Sequence, residues 1–101
     1  MLDFITAYEI VNELENKKHN IPWVRFNHTN TYTTIYCDTY IGVGSKVYAV
    51  TPIKSYEIIV GFVYDDVVYE IGKHSRTTSR QLMQICNTYY SNYDRIYMEK
   101  R

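Results

Sequence analysis

Apolar residues near the start of the chain recur at intervals of three and four. They form one stripe: Phe4, Ala7, Tyr8, Val11 and Leu14. This spacing predicts an amphipathic helix over residues 3–18. Asp3 is expected to cap it, because its carboxylate can accept an unpaired backbone N–H. Glu13 and Lys17, four residues apart, are expected to pair on the helix surface.

Residues 23–71 carry the patterns of β-strands. Segments rich in β-branched and aromatic residues predict strands at residues 23–26, 32–37, 40–43, 46–51, 56–64 and 67–71. Gly44 and Ser45 form a two-residue hairpin connection. Pro52 is expected to end the strand before it, because proline lacks a backbone N–H.

The strongest hairpin signal joins the last two of these strands through Asp65 and Asp66. A two-residue turn fixes the register. The predicted pairs are Tyr64 with Val67, Phe62 with Tyr69, and Val60 with Ile71. These six side chains are expected on one face, toward the core, with Gly61 and Glu70 on the other.

A second helix is predicted over residues 79–93, after a polar connection. Thr78 and Gln81 match a capping box, in which each side chain satisfies an unpaired donor of the other residue. The buried stripe of this helix is expected to contain Leu82, Ile85, Cys86, Tyr89 and Tyr93. For residues 94–101 the pattern leaves three alternatives: a short last strand, an extension of the helix, or frayed chain.

These elements predict the α+β fold class. We expect a single domain over residues 1–101, the common size for one domain. Its antiparallel β-sheet is flanked by an N-terminal and a C-terminal α-helix, and both helices are expected to pack on one face of the sheet.

The charges balance, with eleven Lys and Arg against eleven Asp and Glu. A neutral chain has no overall field that attracts nucleic acid or an anionic membrane, so electrostatic recognition must come from local patches. No signal peptide and no apolar stretch of about 20 residues is visible, which favours the cytoplasm. Cys37 and Cys86 are expected as reduced, buried thiols, with a single disulfide as the alternative.

A cationic, hydroxyl-rich link precedes the second predicted helix. Its candidate contact residues for an anion, a nucleic acid or a partner are Lys73, His74, Arg76, Thr77 and Arg80. A helix N-terminus and arginine side chains both favour phosphate or carboxylate groups. The alternative is a solvated connection whose hydroxyls only cap the helix.

Twelve tyrosines are the unusual feature of the composition. They suit half-covered sheet faces and binding surfaces, and they would equally follow from an AT-rich genome. A protein interface is predicted at Tyr89, Tyr90, Tyr93 and Tyr97. The alternative is a tyrosine-rich edge of the core.

No catalytic residue, metal site or cofactor is assigned. His19, His28 and His74 show no metal-ligand spacing, and neither cysteine has a partner of the nucleophile–base type. His74 beside Arg76 and Arg80 could in principle cleave a phosphodiester, but only residue type supports this. The chain is therefore expected not to be an enzyme.

Two segments carry a resemblance. Residues 55–61 read Ser-Tyr-Glu-Ile-Ile-Val-Gly, and residues 73–81 read Lys-His-Ser-Arg-Thr-Thr-Ser-Arg-Gln. Together they resemble a family of small, uncharacterised proteins of phages and mobile elements. That family carries a Ser-Tyr-x-x-x-Val-Ala-like strand, a hairpin and a Lys-Tyr-Ser-x-Thr-Thr-Ser-Arg-His-like helix start. The resemblance covers residues 55–90, but His74 replaces the usual Tyr and Gln81 a frequent His.

The resemblance implies a phage product that acts inside a bacterium, without implying a reaction. The expected function is a non-enzymatic binding protein acting on a host protein or ribonucleoprotein, as a host-takeover or anti-defence factor such as a CRISPR inhibitor. One alternative is a nucleic-acid-binding accessory protein that uses Lys73, Arg76 and Arg80, and a weaker one is a small nuclease. A homodimer is a further alternative, and the identity of the partner is not predicted.

Overall fold

The computed structural model describes residues 1–25, 34–36, 38–55, 57–72, 82–83, 87 and 94–99. The elements bounded within them are α1 (Phe4–Lys17), a 3₁₀ turn (Lys18–Asn20), β1 (Val24–Arg25), β2 (Thr34–Tyr36), β3 (Thr39–Val43), β4 (Lys46–Ser55), β5 (Ile58–Tyr64), β6 (Val67–Ile71) and β7 (Asp94–Met98). The α+β class is confirmed. No described helix combines the length and apolarity needed to cross a bilayer.

Local signals at the ends of α1 behave as predicted. The Thr6 backbone N–H donates to Asp3 Oδ1 at 2.7 Å. This bond stabilises the carboxylate and lowers the pKa of Asp3 below its usual value. Lys17 Nζ lies 3.8 Å from Glu13 Oε2, so the expected surface pair is also present.

The buried stripe of α1 is rotated from the predicted one. Ala7, Ile10 and Leu14 are fully buried, whereas Phe4 is 57% exposed. Tyr8 and Val11 lie half-buried beside the stripe. The prediction that Phe4 lies in the core was wrong. Stripes that contain Phe4 and stripes that contain Ile10 both have helical spacing, and only the packing of α1 on the sheet determines which one is buried.

The sheet has the strand order β1-β2-β4-β5-β6-β7, and β3 also pairs with β4. β2 and β3 lie on the same side of β4 in one register, since Tyr36 pairs with Ile53 and Thr39 with Val50. β4 continues through Pro52, so the predicted strand end there was wrong. Proline fits extended backbone and removes only one donor. By this register, the gap between β2 and β3 lies opposite Pro52.

The hairpin of β5 and β6 confirms the predicted turn. Asp65 and Asp66 have φ values of 52° and 61°, as a type I′ turn requires. The register includes Tyr64 with Val67 and Phe62 with Tyr69, and it ends at Gly61 with Glu70.

Val60 departs from the prediction. Against β4, Ile53 pairs with Gly61 but Lys54 pairs with Ile59, so Val60 is an extra residue on β5. Such a bulge reverses the alternation of side chains along a strand. Val60 therefore faces away from α1, and the predicted Val60–Ile71 pair lies beyond the observed register.

β7 is the last strand and pairs in parallel with β6, from Val67 with Asp94 to Ile71 with Met98. Of the three alternatives for the tail, the strand is confirmed for residues 94–98. Parallel neighbours require a crossover connection, so the sheet is mixed rather than purely antiparallel.

Both faces of the sheet carry an apolar core. The face under α1 buries Ala7, Ile10, Leu14, Ile41, Val50, Ile59, Phe62, Val67, Tyr69, Ile71 and Met98. The opposite face buries Ile53, Val60, Val63, Val68 and Leu82.

Leu82 precedes β7 and packs on the face of the sheet opposite α1, so the prediction that both helices share one face was wrong for this residue. α1 already covers the first face, and the apolar residues of the second require a cover of their own. Leu82, Met83 and Asn87 are helical. The other residues of the predicted second helix lie outside the described residues, and that helix stays a prediction.

Candidate functional site

The hairpin of β3 and β4 extends beyond the body of the sheet. β4 pairs with β3 through residues 46–50, but it pairs with β5 only through residues 51–55. Gly44, with φ of 61°, forms its tip. Along residues 46–50, no described residue pairs with the edge of β4 that faces away from β3.

The two faces of this hairpin differ in burial. On the inner face Ile41 is fully buried and Val50 is 3% exposed, and both belong to the core under α1. On the outer face Tyr40 is 74% and Val47 is 70% exposed. Ala49, directly opposite Tyr40, is exposed as well. We call Tyr40, Val47 and Ala49 the outer face of the hairpin. Clustered exposed apolar side chains of this kind mark interaction sites more often than scattered ones do.

A small cavity lies at the base of the outer face. Thr51 Oγ1 donates to Asp38 Oδ1 at 2.8 Å across the strands. The cavity measures about 190 Å³ and is lined by Asp38, Thr39, Tyr40, Ala49, Val50 and Thr51. Small-molecule sites usually enclose roughly 300–1,000 Å³. The geometry therefore favours a surface for a macromolecule over a pocket for a metabolite.

Negative charge surrounds this end of the sheet. The turn of Asp65 and Asp66 lies where β5 leaves β4, because Thr51 pairs with Val63. The Asp94 backbone N–H donates to the Asp66 carbonyl oxygen at 3.0 Å, which brings Asp94 to the same end. All three carboxylates are exposed, as is Asp38.

Few described cations offset these carboxylates. Lys46 is exposed beside the hairpin tip. Arg95 is paired with Glu70, which is only 8% exposed. The described surroundings of the outer face are therefore net acidic.

A second cluster of polar and charged side chains surrounds the buried Lys54, and its contacts stabilise the fold. Lys54 Nζ lies 4.8 Å from the centroid of the Trp23 ring and 4.0 Å from Glu57 Oε2. Trp23 Nε1 donates to the Lys18 carbonyl oxygen at 2.7 Å. Lys18 Nζ in turn donates to the Glu57 carbonyl oxygen at 2.8 Å. These contacts connect the β4–β5 turn to the end of α1.

Eight of the nine site residues predicted from the sequence lie outside the described residues. The cationic link lies outside the described residues: Lys73, His74, Arg76, Thr77 and Arg80. The same holds for Tyr89, Tyr90 and Tyr93. Within the described ranges, no group of three or more His, Cys, Asp or Glu could hold a metal ion.

Tyr97 is the one predicted interface residue that is described. It lies on β7 and is 50% exposed. β4, β5 and β6 separate it from Tyr40 on β3. Four strand spacings amount to roughly 19 Å, so Tyr97 and the outer face of the hairpin are not one continuous surface.

Sequence reasoning identified the β3–β4 hairpin but missed its outer face. The available signal was that Tyr40 and Gly42, and across from them Val47 and Ala49, are nonpolar at the positions that alternate with core residues. A hairpin with one solvated face normally carries polar residues there.

Comparisons with known protein families, with curated protein sequences and with solved structures give no match to this chain. The resemblance of residues 55–90 to a phage family therefore stays a prediction.

Proposed function

We propose that this chain is a non-enzymatic binding protein that docks a protein partner on the outer face of its β3–β4 hairpin. The observation that carries the proposal is the exposure of Tyr40 and Val47, at 74% and 70%, on a hairpin that extends past the sheet. Aromatic and aliphatic side chains in a polar surround are typical centres of protein interfaces.

The biological setting is the part of the proposal that depends on sequence. The resemblance of residues 55–90 implies a phage product, so we propose a host protein or ribonucleoprotein of a bacterium as the partner, bound in the cytoplasm. Binding would inhibit the partner by occupying its surface, as a host-takeover or anti-defence factor does. We also propose that residues 79–93 form a helix around the helical residues Leu82, Met83 and Asn87.

Site-specific photo-crosslinking tests the proposed surface. Tyr40 is replaced by p-benzoylphenylalanine, and Glu9, an exposed residue of α1, receives the same substitution as the matched control. In bacterial cells that express each variant, we expect a discrete adduct with one protein from position 40 and none from position 9. Equal labelling from both positions, or no adduct from position 40, would contradict the proposed surface.

A further inference from the structure

The edge of β4 beside the outer face of the hairpin carries backbone groups that no described strand pairs with. In a hairpin closed by a two-residue turn, the residues flanking the turn form a hydrogen-bonded pair. Because Val43 pairs with Lys46, the N–H and C=O groups of Tyr48 point toward β3. Those of Val47 and Ala49 point away from β3, to the side that β5 does not reach. An unpaired edge of this kind can accept an additional strand.

The side chains along the β4 edge determine which residues an added strand would carry. A strand on this edge would place alternate residues beside Val47 and Ala49, which are apolar and exposed. Cross-strand neighbours of this type favour aliphatic or aromatic partners. The end of the strand would approach the turn of Asp65 and Asp66, where carboxylates favour lysine or arginine.

We infer that the partner docks as an extended, cationic segment that carries apolar residues between its lysines or arginines and adds to the β4 edge at Val47 and Ala49. This inference rests on the proposed function and specifies its partner. Complementary charge supports it, because Asp65, Asp66 and Asp94 lie at the end of this edge, Asp38 lies at the base of the outer face, and Arg95 is already paired with Glu70.

Two other occupants fit less well. Of the described residues around this surface, a second copy of the chain would bring Lys46 together with its own aspartates, so like charges would meet across the pair. A nucleic acid would bring phosphates against the same carboxylates. Both therefore serve as outcomes of the test.

The test uses the full chain and two labelled eight-residue peptides, one alternating lysine with valine and the other glutamate with valine. Fluorescence anisotropy should show binding of the lysine peptide, weakened by added salt, and no binding of the glutamate peptide. A labelled single-stranded oligonucleotide of eight nucleotides is titrated in parallel, and no binding is expected.

Two variants locate the binding. The double substitution Asp65→Asn and Asp66→Asn keeps residues that tolerate positive φ, so the turn is retained while two charges are removed. We expect it to weaken binding of the lysine peptide by about five- to tenfold. Ala49→Pro removes an outward N–H without removing a bond to β3, and it should abolish binding while the circular dichroism spectrum is unchanged.

Several results would overturn the inference. These are equal binding of the two peptides, unchanged affinity in the asparagine variant, or oligonucleotide binding that Ala49→Pro abolishes. Sedimentation showing a dimer of the chain that Ala49→Pro dissociates would identify a second copy as the occupant instead. The crosslinking experiment at position 40 tests the proposed function independently of the peptide titrations. If it captures a partner that has no cationic segment, the proposed function holds and this inference is wrong.

Discussion

Tyr69 shows how a single buried polar group connects distant parts of the chain. Its side chain is fully buried, and its ring stacks on Phe62 with centroids 4.8 Å apart. The Leu2 backbone N–H donates to its hydroxyl oxygen at 2.8 Å, which fixes the start of the chain on the sheet. Burial raises the pKa of Tyr69 above its usual value, because the ionised phenolate is poorly solvated there.

Replacing Tyr69 with Phe should cost about 1 kcal/mol of unfolding free energy at pH 7, because the Leu2 N–H loses its acceptor. The raised pKa makes this cost depend on pH. Below the unfolded pKa of about 10, the stabilising effect of the neutral hydroxyl is fully present. Above this unfolded pKa, Tyr69 ionises more readily in the unfolded chain than in the folded one, so the free energy of unfolding of the wild type falls as pH rises. Tyr69→Phe has no hydroxyl at this position and therefore lacks this contribution to the pH dependence.

Urea unfolding at pH 7 and at pH 10.5 measures the effect. The stability advantage of wild type over Tyr69→Phe should shrink at the higher pH, and an advantage that is equal at both values would contradict this assignment. The exposed Tyr40→Phe serves as the control and should change stability by less than about 0.5 kcal/mol at pH 7.

Residue-scale features with local causes could be predicted from the sequence. The Asp3 cap depends on Thr6, three positions away, and the turn of Asp65 and Asp66 depends on its own backbone preferences. The choice between Phe4 and Ile10 for the core could not be predicted, because both fit a helical stripe and only the packing of α1 on the sheet separates them.

At the scale of elements, Gly61, next to the bulge in β5, lies close to the backbone of β6. A Cβ atom at this position would lie 2.7 Å from the Tyr69 carbonyl oxygen. Backbone on a buried strand cannot move away easily, so only glycine fits this position without strain.

Gly61→Ala should therefore destabilise the protein by about 1–3 kcal/mol, through overpacking against β6. Gly42→Ala is the matched control, because a Cβ there would lie 4.0 Å from its nearest neighbour, the Lys46 carbonyl oxygen. The control should be neutral or should stabilise by up to about 1 kcal/mol. Urea unfolding compares the two variants, and equal stabilities would rule out the close approach.

Strand features set by pairing with other strands could not be predicted. Pro52 lies inside β4 because the interrupted edge beside it tolerates a missing donor, and Val60 faces away from α1 because of the bulge. Both outcomes depend on how strands pair: Pro52 on the gap between β2 and β3, and Val60 on the register of β5 against β4. The hydrophobic pattern around each residue does not indicate this pairing.

At the scale of the whole molecule, the central strands are buried on both sides. Consecutive residues such as Phe62 and Val63, or Val67 and Val68, belong to the two different cores. Continuous apolar runs are typical of strands covered on both faces. The sequence contains this signal, whereas the prediction of both helices on one face implies a sheet with a single covered face.

The parallel position of β7 could not be predicted either. Residues 94–98 are a short mixture of apolar and polar residues with no clear strand pattern. Their parallel pairing with β6 depends on the crossover connection, which the local sequence does not specify.

The candidate site could also be predicted only in part. Gly44 and Ser45 predict the hairpin of β3 and β4. The open edge of β4 could not be predicted, because it depends on where the pairing of β5 with β4 ends.

Amide hydrogen exchange, followed by NMR on the free protein, tests the central claim most directly, because that claim is an open β4 edge beside an exposed hairpin face. The N–H groups of Val47 and Ala49 should exchange rapidly, while those of Tyr48 and Val50, which point toward β3, should be protected. Val63 and Val68 in the doubly covered strands provide the slow reference. Protection of Val47 and Ala49 equal to that of Tyr48 and Val50 would show that the edge is already occupied, and it would contradict both the exposed surface and the partner inferred for it.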